Sequence, residues 1–353
     1  MMPTAALSFF LPTATLSKLT PLGGGNINDT WRVDLKEGRS VILQRLHPSV
    51  FPDPGAVMHN MRLVTGHLAR SASPGSPVFF RLLNNPEGQD HWYDQSGHCW
   101  RLLSYIDQTR TLSRLETRTQ AEDVGNLLAC FHLRVAGLDH ASLRDPLPGF
   151  HVTPRYLEQF DAIGGKDQSG HDQEAYCYGV IAALRPTAAL LEEAREQLTF
   201  QVIHGDPKTA NFLFAVDDDR AVSLIDLDTV KPGLLLHDLG DCLRSCCNRL
   251  GETEGDPAEA RFDPDFFQAL MAGYLGRAGH LLAPRDRDLL VAAVGLISFE
   301  LGLRFFIDYL SGNTYFKVDH PDQNLHRAAQ QFRLGESIRD QQEALERRLQ
   351  TLG

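Results

Sequence analysis

The sequence predicts an α+β fold in two lobes, a small antiparallel sheet followed by a larger, mainly helical part. Three observations carry this. Before residue 106, short apolar runs alternate with Gly-, Pro- and Asn-rich turns, the pattern of hairpin-linked strands. After Thr111, apolar positions recur at helical spacing. The length, 353 residues, suits two units better than one. The boundary falls at the change of pattern, giving lobes of 1–106 and 107–353.

The first lobe opens with residues 5–19, which read as a short amphipathic helix on its outside. Gly23, Gly24 and Gly25 follow, then an alternating run through Thr30-Trp31-Arg32-Val33 that reads as a strand. Ser40 to Leu46 reads as its partner across the turn Lys36-Glu37-Gly38. The pair suggests a hairpin with a glycine-rich tip whose N–H groups could lie over phosphates; a plain turn is the competing reading. Pro54 to Arg70 forms a helix with Pro in its first turn and Val57, Met61, Val64 and Leu68 on one face. Pro77–Leu83, His91–Tyr93 and Cys99–Ile106 are further strands, making about five with one helix.

In the second lobe Gln120–Ala136 carries Val124, Leu127, Leu128, Phe131 and Val135 as a helical stripe, with His132 beside it as a structural histidine. Pro146–Pro154 is a rigid loop, Arg155–Phe160 is helical, Gly164–Asp172 is a surface loop, and 175–197 is helical again. Strands are expected near 199–203, 212–216 and 221–225. Cys242–Leu250, Pro264–Gly276, Asp286–Gly312 and Asn324–Leu352 are the remaining helices; the last is highly charged and reads as a solvated outer helix.

Between those strands lies the strongest chemical signal: Val202-Ile203-His204-Gly205-Asp206-Pro207-Lys208-Thr209-Ala210-Asn211, then Ile225-Asp226-Leu227-Asp228. Asp206 sits in a tight turn after an apolar run, where a carboxylate can take a proton from a hydroxyl. Asn211 and Asp226 offer oxygens suited to a hard cation such as Mg2+. The 212–225 hairpin returns the second ligand to the end of the sheet that holds the first. Asp228, on the same face as Asp226 in an extended segment, is either a further metal ligand or only a neighbour. His204 reads as a loop brace. A base beside a metal site is the equipment of phosphoryl transfer to an alcohol.

Composition bounds this further. The formal charge of -11 disfavours a general nucleic-acid binder but not ATP, whose charge is met locally. The six Cys form no knuckle pair; Cys242 and Cys246 have helical i, i+4 spacing, but buried thiols in a reducing cytoplasm are the plainer reading. Met1–Leu19 lacks a basic leader segment, and the run Leu289–Phe299 is too short to span a bilayer. A cytoplasmic protein without membrane or nucleic-acid partners is expected; oligomeric state leaves no trace in the sequence.

The motif His204-Gly205-Asp206…Asn211…Asp226 resembles that of the aminoglycoside phosphotransferase and choline kinase superfamily, which shares the protein-kinase fold. Gly25–Trp31, Ile42–Leu46, Asp226–Gly233, Asp238–Asp241 and Arg304–Lys317 are each similar to segments of the N-acetylhexosamine 1-kinases, so the resemblance runs over nearly the whole chain. It implies ATP- and Mg2+-dependent phosphorylation of the anomeric hydroxyl of N-acetylglucosamine or N-acetylgalactosamine. Asp206 would be the base, with Asn211 and Asp226 on Mg2+. Gly24, Gly25, Asn28, Thr30 and Gln44 would line the ATP site with Ser104, Tyr105 and Ile106, the segment joining the lobes. Arg304 and Tyr315 match positions expected to hold the sugar.

One departure stands out. The superfamily's strand Lys and helix Glu are absent: the strand reads Val41-Ile42-Leu43-Gln44-Arg45-Leu46, and Pro54–Arg70 contains no Glu. Gln44 donates a hydrogen bond without charge, and Arg45 points to the other face. At the acceptor end, Glu300 and Arg304 are an i, i+4 pair: either a helix ion pair, or Glu300 fixing a guanidinium that binds sugar hydroxyls. His151, on its Pro-bounded loop, is a further candidate for the cleft. Three functions follow: a sugar 1-kinase, a kinase of the same fold for another sugar, an amino alcohol or an aminoglycoside, and a nucleotide-binding module without turnover.

Overall fold

A computed structural model describes residues 3–23, 27–47, 50–71, 76–164, 172–251 and 255–352. Gly24 and Gly25 lie outside them, so their expected phosphate contact is not described.

The first lobe comprises α1 (Pro3–Phe10), β1 (Leu16–Leu22), β2 (Asp29–Leu35), β3 (Ser40–Arg45), α2 (Pro54–Arg70), β4 (Leu82–Leu83), β5 (His91–Tyr93) and β6 (Cys99–Ser104). The strands form one antiparallel sheet in the order β1-β2-β3-β6-β4, with β5 also on β6. Its faces are chemically distinct because side chains alternate along each strand. One face, Val33, Val41, Leu43, Trp100 and Leu102, closes a small core under Ala6, Leu7 and Phe10 of α1. The other, with Thr30, Ile42, Gln44, Arg101 and Leu103, turns toward the second lobe, whose core takes in Leu103. α2 is started by Asp53, whose carboxylate accepts the Ala56 N–H at 3.1 Å, with Pro54 next to it.

Three expectations are corrected here. The helix over 5–19 ends at Phe10, since Pro12 cannot continue it; residues 16–22 are edge strand β1. The glycines therefore join β1 to β2 and are not the tip of the β2–β3 hairpin, whose turn is Lys36–Arg39 with Gly38 at φ 85°. The strand over 77–83 shrinks to Leu82–Leu83, because Val78 N–H bonds to Val222 C=O instead of the sheet.

The second lobe follows with β7 (Thr109–Arg110), α3 (Arg118–Val135), α4 (Thr153–Ala162), α5 (Asp172–Leu184), α6 (Leu190–Ala194), β8 (Phe200–Ile203), β9 (Phe212–Ala215), β10 (Ala221–Leu224) and β11 (Lys231–Leu234). It closes with α7 (Leu235–Cys246), α8 (Pro264–Ala278), α9 (Pro284–Leu310), α10 (Gln323–Asp340) and α11 (Gln342–Gln350). β9–β10 is the expected hairpin, joined by β7; β8 pairs with β11. α3 and α8 pack backbone to backbone: a Cβ on Gly273 would fall 2.2 Å from Glu122 C=O.

The helix expected over 242–250 begins at Leu235. It is buried on every side, its polar residues included, although Leu235, Leu236, Leu239, Cys242, Leu243 and Cys246 form an apolar stripe that the expected bounds cut in half. The expected outer helix 324–352 is two helices, and the first is not solvated: Asn324, Leu325, Gln331 and Phe332 are buried against α9. Asn324 Nδ2 donates to Asp308 Oδ2 at 2.9 Å, tying the start of this helix to α9. α9 is long and apolar enough to cross a membrane, yet 72% of its most apolar stretch is buried in the fold, as befits the central core helix.

Candidate active site

β8 leads into the loop 204–211, whose backbone is held at four consecutive points. The His204 and Gly205 N–H groups donate to the two carboxylate oxygens of Asp238 on α7, both at 2.7 Å. The His204 C=O accepts from Thr229 Oγ1 at 2.9 Å, and the Gly205 C=O from His151 Nε2 at 2.8 Å. Gly205 has φ 88°, and a Cβ there would lie 2.7 Å from Thr229 C=O, so only glycine fits. Asp238 also takes a hydrogen bond from His132 Nε2 at 2.9 Å, and His132 Nδ1 contacts the Tyr274 hydroxyl. His132 is thus a buried brace. His204 is one too: Nε2 donates to Ile225 C=O at 2.9 Å while Nδ1 accepts the Asp206 N–H at 3.2 Å. That pattern needs the neutral ring, and burial lowers its pKa accordingly.

Asp206 follows at the end of this rigid segment. Burial alone would raise its pKa, but Lys208 Nζ, 2.5 Å from Oδ2, outweighs it, and the net shift is downward. The carboxylate is therefore ionised and able to accept a proton. Asn211 Nδ2 donates to Asp206 C=O at 2.7 Å and to Oδ2 at 3.2 Å, which turns its amide oxygen away from Asp206. The Asn211 C=O accepts from Ile225 N–H at 2.9 Å, locking the loop to the strand before Asp226.

Asp226 has left-handed backbone, φ 67° and ψ 64°, a strained setting for a non-glycine residue. Burial and the neighbouring Asp228 charge push its pKa up to about 7. A carboxylate so destabilised, with an amide oxygen from Asn211, suits a divalent cation. No group of three or more His, Cys, Asp or Glu forms a self-contained cage among the described residues. Mg2+ takes one or two protein ligands and completes its shell with phosphates and water, so Asn211 and Asp226 would suffice to hold it.

Asp228 is differently employed. Oδ2 accepts from Asn28 Nδ2 at 2.6 Å, and Oδ1 stands 2.5 Å from Arg101 Nη1. Both its oxygens are committed to the sheet lobe, which counts against the metal-ligand alternative. Arg101 is fully buried and lies directly across from Gln44 in the β3–β6 register. Its Nε and Nη2 donate to Gln44 Oε1 at 2.9 and 2.6 Å, and Gln44 Nε2 donates to Thr30 Oγ1 at 3.1 Å. Sequence reasoning missed Arg101; its signal was a single cation in the apolar strand Cys99-Trp100-Arg101-Leu102-Leu103. Arg45 is on the opposite face, paired with Asp29, as expected. At the joining segment Tyr105 is held by Arg32, whose Nη1 donates to the hydroxyl at 3.0 Å. Ser104 closes β6, and the Ile106 C=O accepts from Thr109 Oγ1 at 2.7 Å.

A cavity of about 60 Å³ opens beside Asp206, lined also by Phe51, Phe150, Arg304, Tyr315 and Phe316. Arg304 lies over the rings of Phe150 and Tyr315, 4.9 and 5.7 Å from their centroids. Glu300 does not hold it. The i, i+4 expectation fails because Glu300 points to the α4 side, accepting from His151 Nδ1 at 3.0 Å and from Thr153 Oγ1 at 2.8 Å. No ion pair or hydrogen bond ties Arg304 to another described residue. His151 does line this cavity, though not as a free side chain: it is buried, at φ 64°, with both ring nitrogens spent on Glu300 and Gly205.

The profile of the phosphotransferase enzyme family matches residues 18–280. Among solved structures, a microcompartment-associated aminopropanol kinase is 18% identical with a TM-score of 0.66, covering 98% of each chain. An aminoglycoside phosphotransferase from Alicyclobacillus acidocaldarius is 15% identical with a TM-score of 0.62, covering 99% of this chain and 97% of that one. Amicoumacin kinase in complex with AMP-PNP, Ca2+ and Ami is 16% identical with a TM-score of 0.61, covering 96% and 92%. These likenesses agree on the two-lobed kinase-like fold. Three quarters of the sequence lies inside the family profile, and with the loop 204–211 and Asp226 at the meeting of the lobes, the chain belongs to the phosphotransferase enzyme family.

Proposed function

We propose that this chain is a kinase that uses ATP and Mg2+ to phosphorylate the anomeric hydroxyl of an N-acetylhexosamine, GlcNAc or GalNAc. Asp206 accepts the hydroxyl proton as the sugar oxygen bonds to the γ-phosphorus and the bridging oxygen leaves with ADP. An anomeric hydroxyl is more acidic than other sugar hydroxyls, so modest base assistance suffices. Lys208, beside Asp206, keeps the base ionised and offers a positive charge near the transferring group. Asn211 and Asp226 hold Mg2+, which neutralises phosphate charge. The face carrying Asn28, Thr30 and Gln44, together with Ser104, Tyr105 and Ile106, frames the nucleotide.

One observation carries the choice of acceptor. The cavity beside Asp206 presents an Arg304 guanidinium with unspent donors on an aromatic bed, while its other carboxylates are engaged: Glu300 with His151, Asp241 with Arg244. An uncharged polyol gains hydrogen bonds and ring stacking there. A cationic acceptor meets positive charge without a free carboxylate to offset it. The second reading, an amino alcohol or aminoglycoside, draws on the likeness to the aminopropanol kinase and the aminoglycoside phosphotransferase. It would need an acidic cleft that this arrangement lacks.

Purified protein with ATP and Mg2+ is offered GlcNAc, GalNAc, aminopropanol and kanamycin, and the product identified by phosphorus NMR. A sugar 1-phosphate that disappears in Asp206→Asn is expected. Product from the amines alone would move the acceptor to the second reading. ATP binding with no product from any acceptor would leave a nucleotide-binding module.

A further inference from the structure

The proposed nucleotide brings a phosphate chain to a sheet face where β3 offers Gln44 and not a lysine, with Arg45 on the far side. We infer that Arg101, anchored by Asp228, is a positioning residue that fixes the Gln44 amide so that its N–H groups face the phosphates. This rests on the ATP reading above.

The argument starts from what each group can do. A guanidinium only donates, so the atom of Gln44 that meets Nε and Nη2 must be the amide oxygen. That assigns the amide without reference to anything outside the pair, and it leaves Nε2 as the outward end. One of its two N–H groups reaches Thr30 Oγ1, and the other is free for a phosphate oxygen. Arg101 cannot itself serve: it is fully buried behind Gln44. A lone glutamine could flip and present its oxygen, which would repel phosphate. Two N–H bonds from a buried cation exclude the flip, and they polarise the amide toward a better donor.

Asp228 completes the device. Arg101 Nη1 lies 2.5 Å from Asp228 Oδ1, off the axis of a hydrogen bond, so the contact is one of charge. Asp228 also accepts from Asn28 Nδ2 at 2.6 Å, and Asn28 Oδ1 accepts the His47 N–H at 3.0 Å. The segment entering β2 and the strand carrying Gln44 are thereby tied to the residue two positions after Asp226.

The test is titration calorimetry with Mg·AMP-PNP and, separately, adenosine, which carries no phosphate. Gln44→Leu is expected to weaken AMP-PNP about 10- to 100-fold, the range for a hydrogen bond to a charged group. Gln44→Glu should weaken it at least as much. Arg101→Met should cost about 10-fold, and the double variant Arg101→Met/Gln44→Leu no more than Gln44→Leu alone, since Arg101 acts through Gln44. Adenosine affinity should stay within about twofold throughout. Arg101→Lys, which keeps a donor and a charge, should restore most of the loss.

Losses that multiply in the double variant, adenosine affinity that falls in parallel, or no effect of Arg101→Met would each overturn the inference. Should Arg101→Met not fold, the comparison of Arg101→Lys with Gln44→Leu decides: a Lys variant tenfold weaker beside a harmless Gln44→Leu refutes it. Wild-type protein that binds no AMP-PNP sinks the nucleotide reading as well. Wild-type binding with an indifferent Arg101 sinks this inference alone.

Discussion

Asp238 never touches the cavity, yet it governs where Asp206 sits. Its carboxylate is completely buried and takes hydrogen bonds from the His204 and Gly205 N–H groups and from His132 Nε2. Asp238→Asn keeps the shape and replaces one oxygen by an NH2 group. Whichever way the amide turns, it sets a donor against at least one backbone N–H. One charge-assisted bond, worth about 1.5–3 kcal/mol, is lost, and one buried donor is left unpaired at about 1–3 kcal/mol. The expected destabilisation is therefore about 4 kcal/mol, a large part of the ~5–15 kcal/mol that holds a typical fold. Denaturant unfolding at constant m-value measures it. In the fraction that stays folded, the loop shifts, and a displacement near 1 Å at the base costs on the order of 10²-fold in turnover. A variant within about 1 kcal/mol of wild type and with unchanged kcat would refute the view that this clamp sets the loop.

Three more outcomes follow from the same contacts. Gly205→Ala forces a Cβ into left-handed backbone, 2.7 Å from Thr229 C=O; a loss of at least ~2 kcal/mol and of most turnover is expected, read by unfolding and by initial rates. Lys208→Ala removes the charge that overrides burial at Asp206. The base then titrates higher, and the pH profile of kcat/KM gains an acid limb absent from wild type. His151 is the third: burial opposes its charge, but Glu300 and the Gly205 carbonyl outweigh this and raise its pKa above 6.5. A raised folded-state pKa means the stabilisation is complete below pH 6.5 and is lost as pH climbs through the folded value. The unfolding midpoint should thus fall on the alkaline side, and His151→Gln should flatten that slope.

The candidate catalytic loop was legible because its signal is local. A base, an amide and a carboxylate at fixed spacing, bounded by apolar strands, can be read in one line of sequence, and β8, β9 and β10 lie within a residue of where they were expected. What holds that loop was not legible, for the opposite reason. Asp238 is 34 residues from His204, on a helix buried all round, so no local spacing in the sequence links the two. Glu300 was misassigned because i, i+4 spacing offered Arg304 as a near partner, whereas the fold supplies His151, 149 residues away. Residues 16–19, the first part of β1, were read as helix since an exposed edge strand buries too little to show an alternating pattern.

The two lobes are joined over the site by contacts of unequal strength. At the mouth, Lys317 Nζ reaches Asp29 Oδ1 at 3.2 Å and Asn28 C=O at 3.4 Å, with the lysine about half exposed. Such a contact contributes at most about 1 kcal/mol and weakens with salt. At the back, Arg101 and Asp228 face each other with almost no access to water. A buried pair of this kind is costly to separate, because parting it leaves two uncompensated charges. Opening the cleft to admit a nucleotide would therefore break the outer contact before the inner one. Gln44 and Arg101 face each other on neighbouring strands of one sheet, so Gln44 keeps that partner whatever the lobes do. That is the arrangement a phosphate donor needs when it has no charge of its own to guide the ligand in.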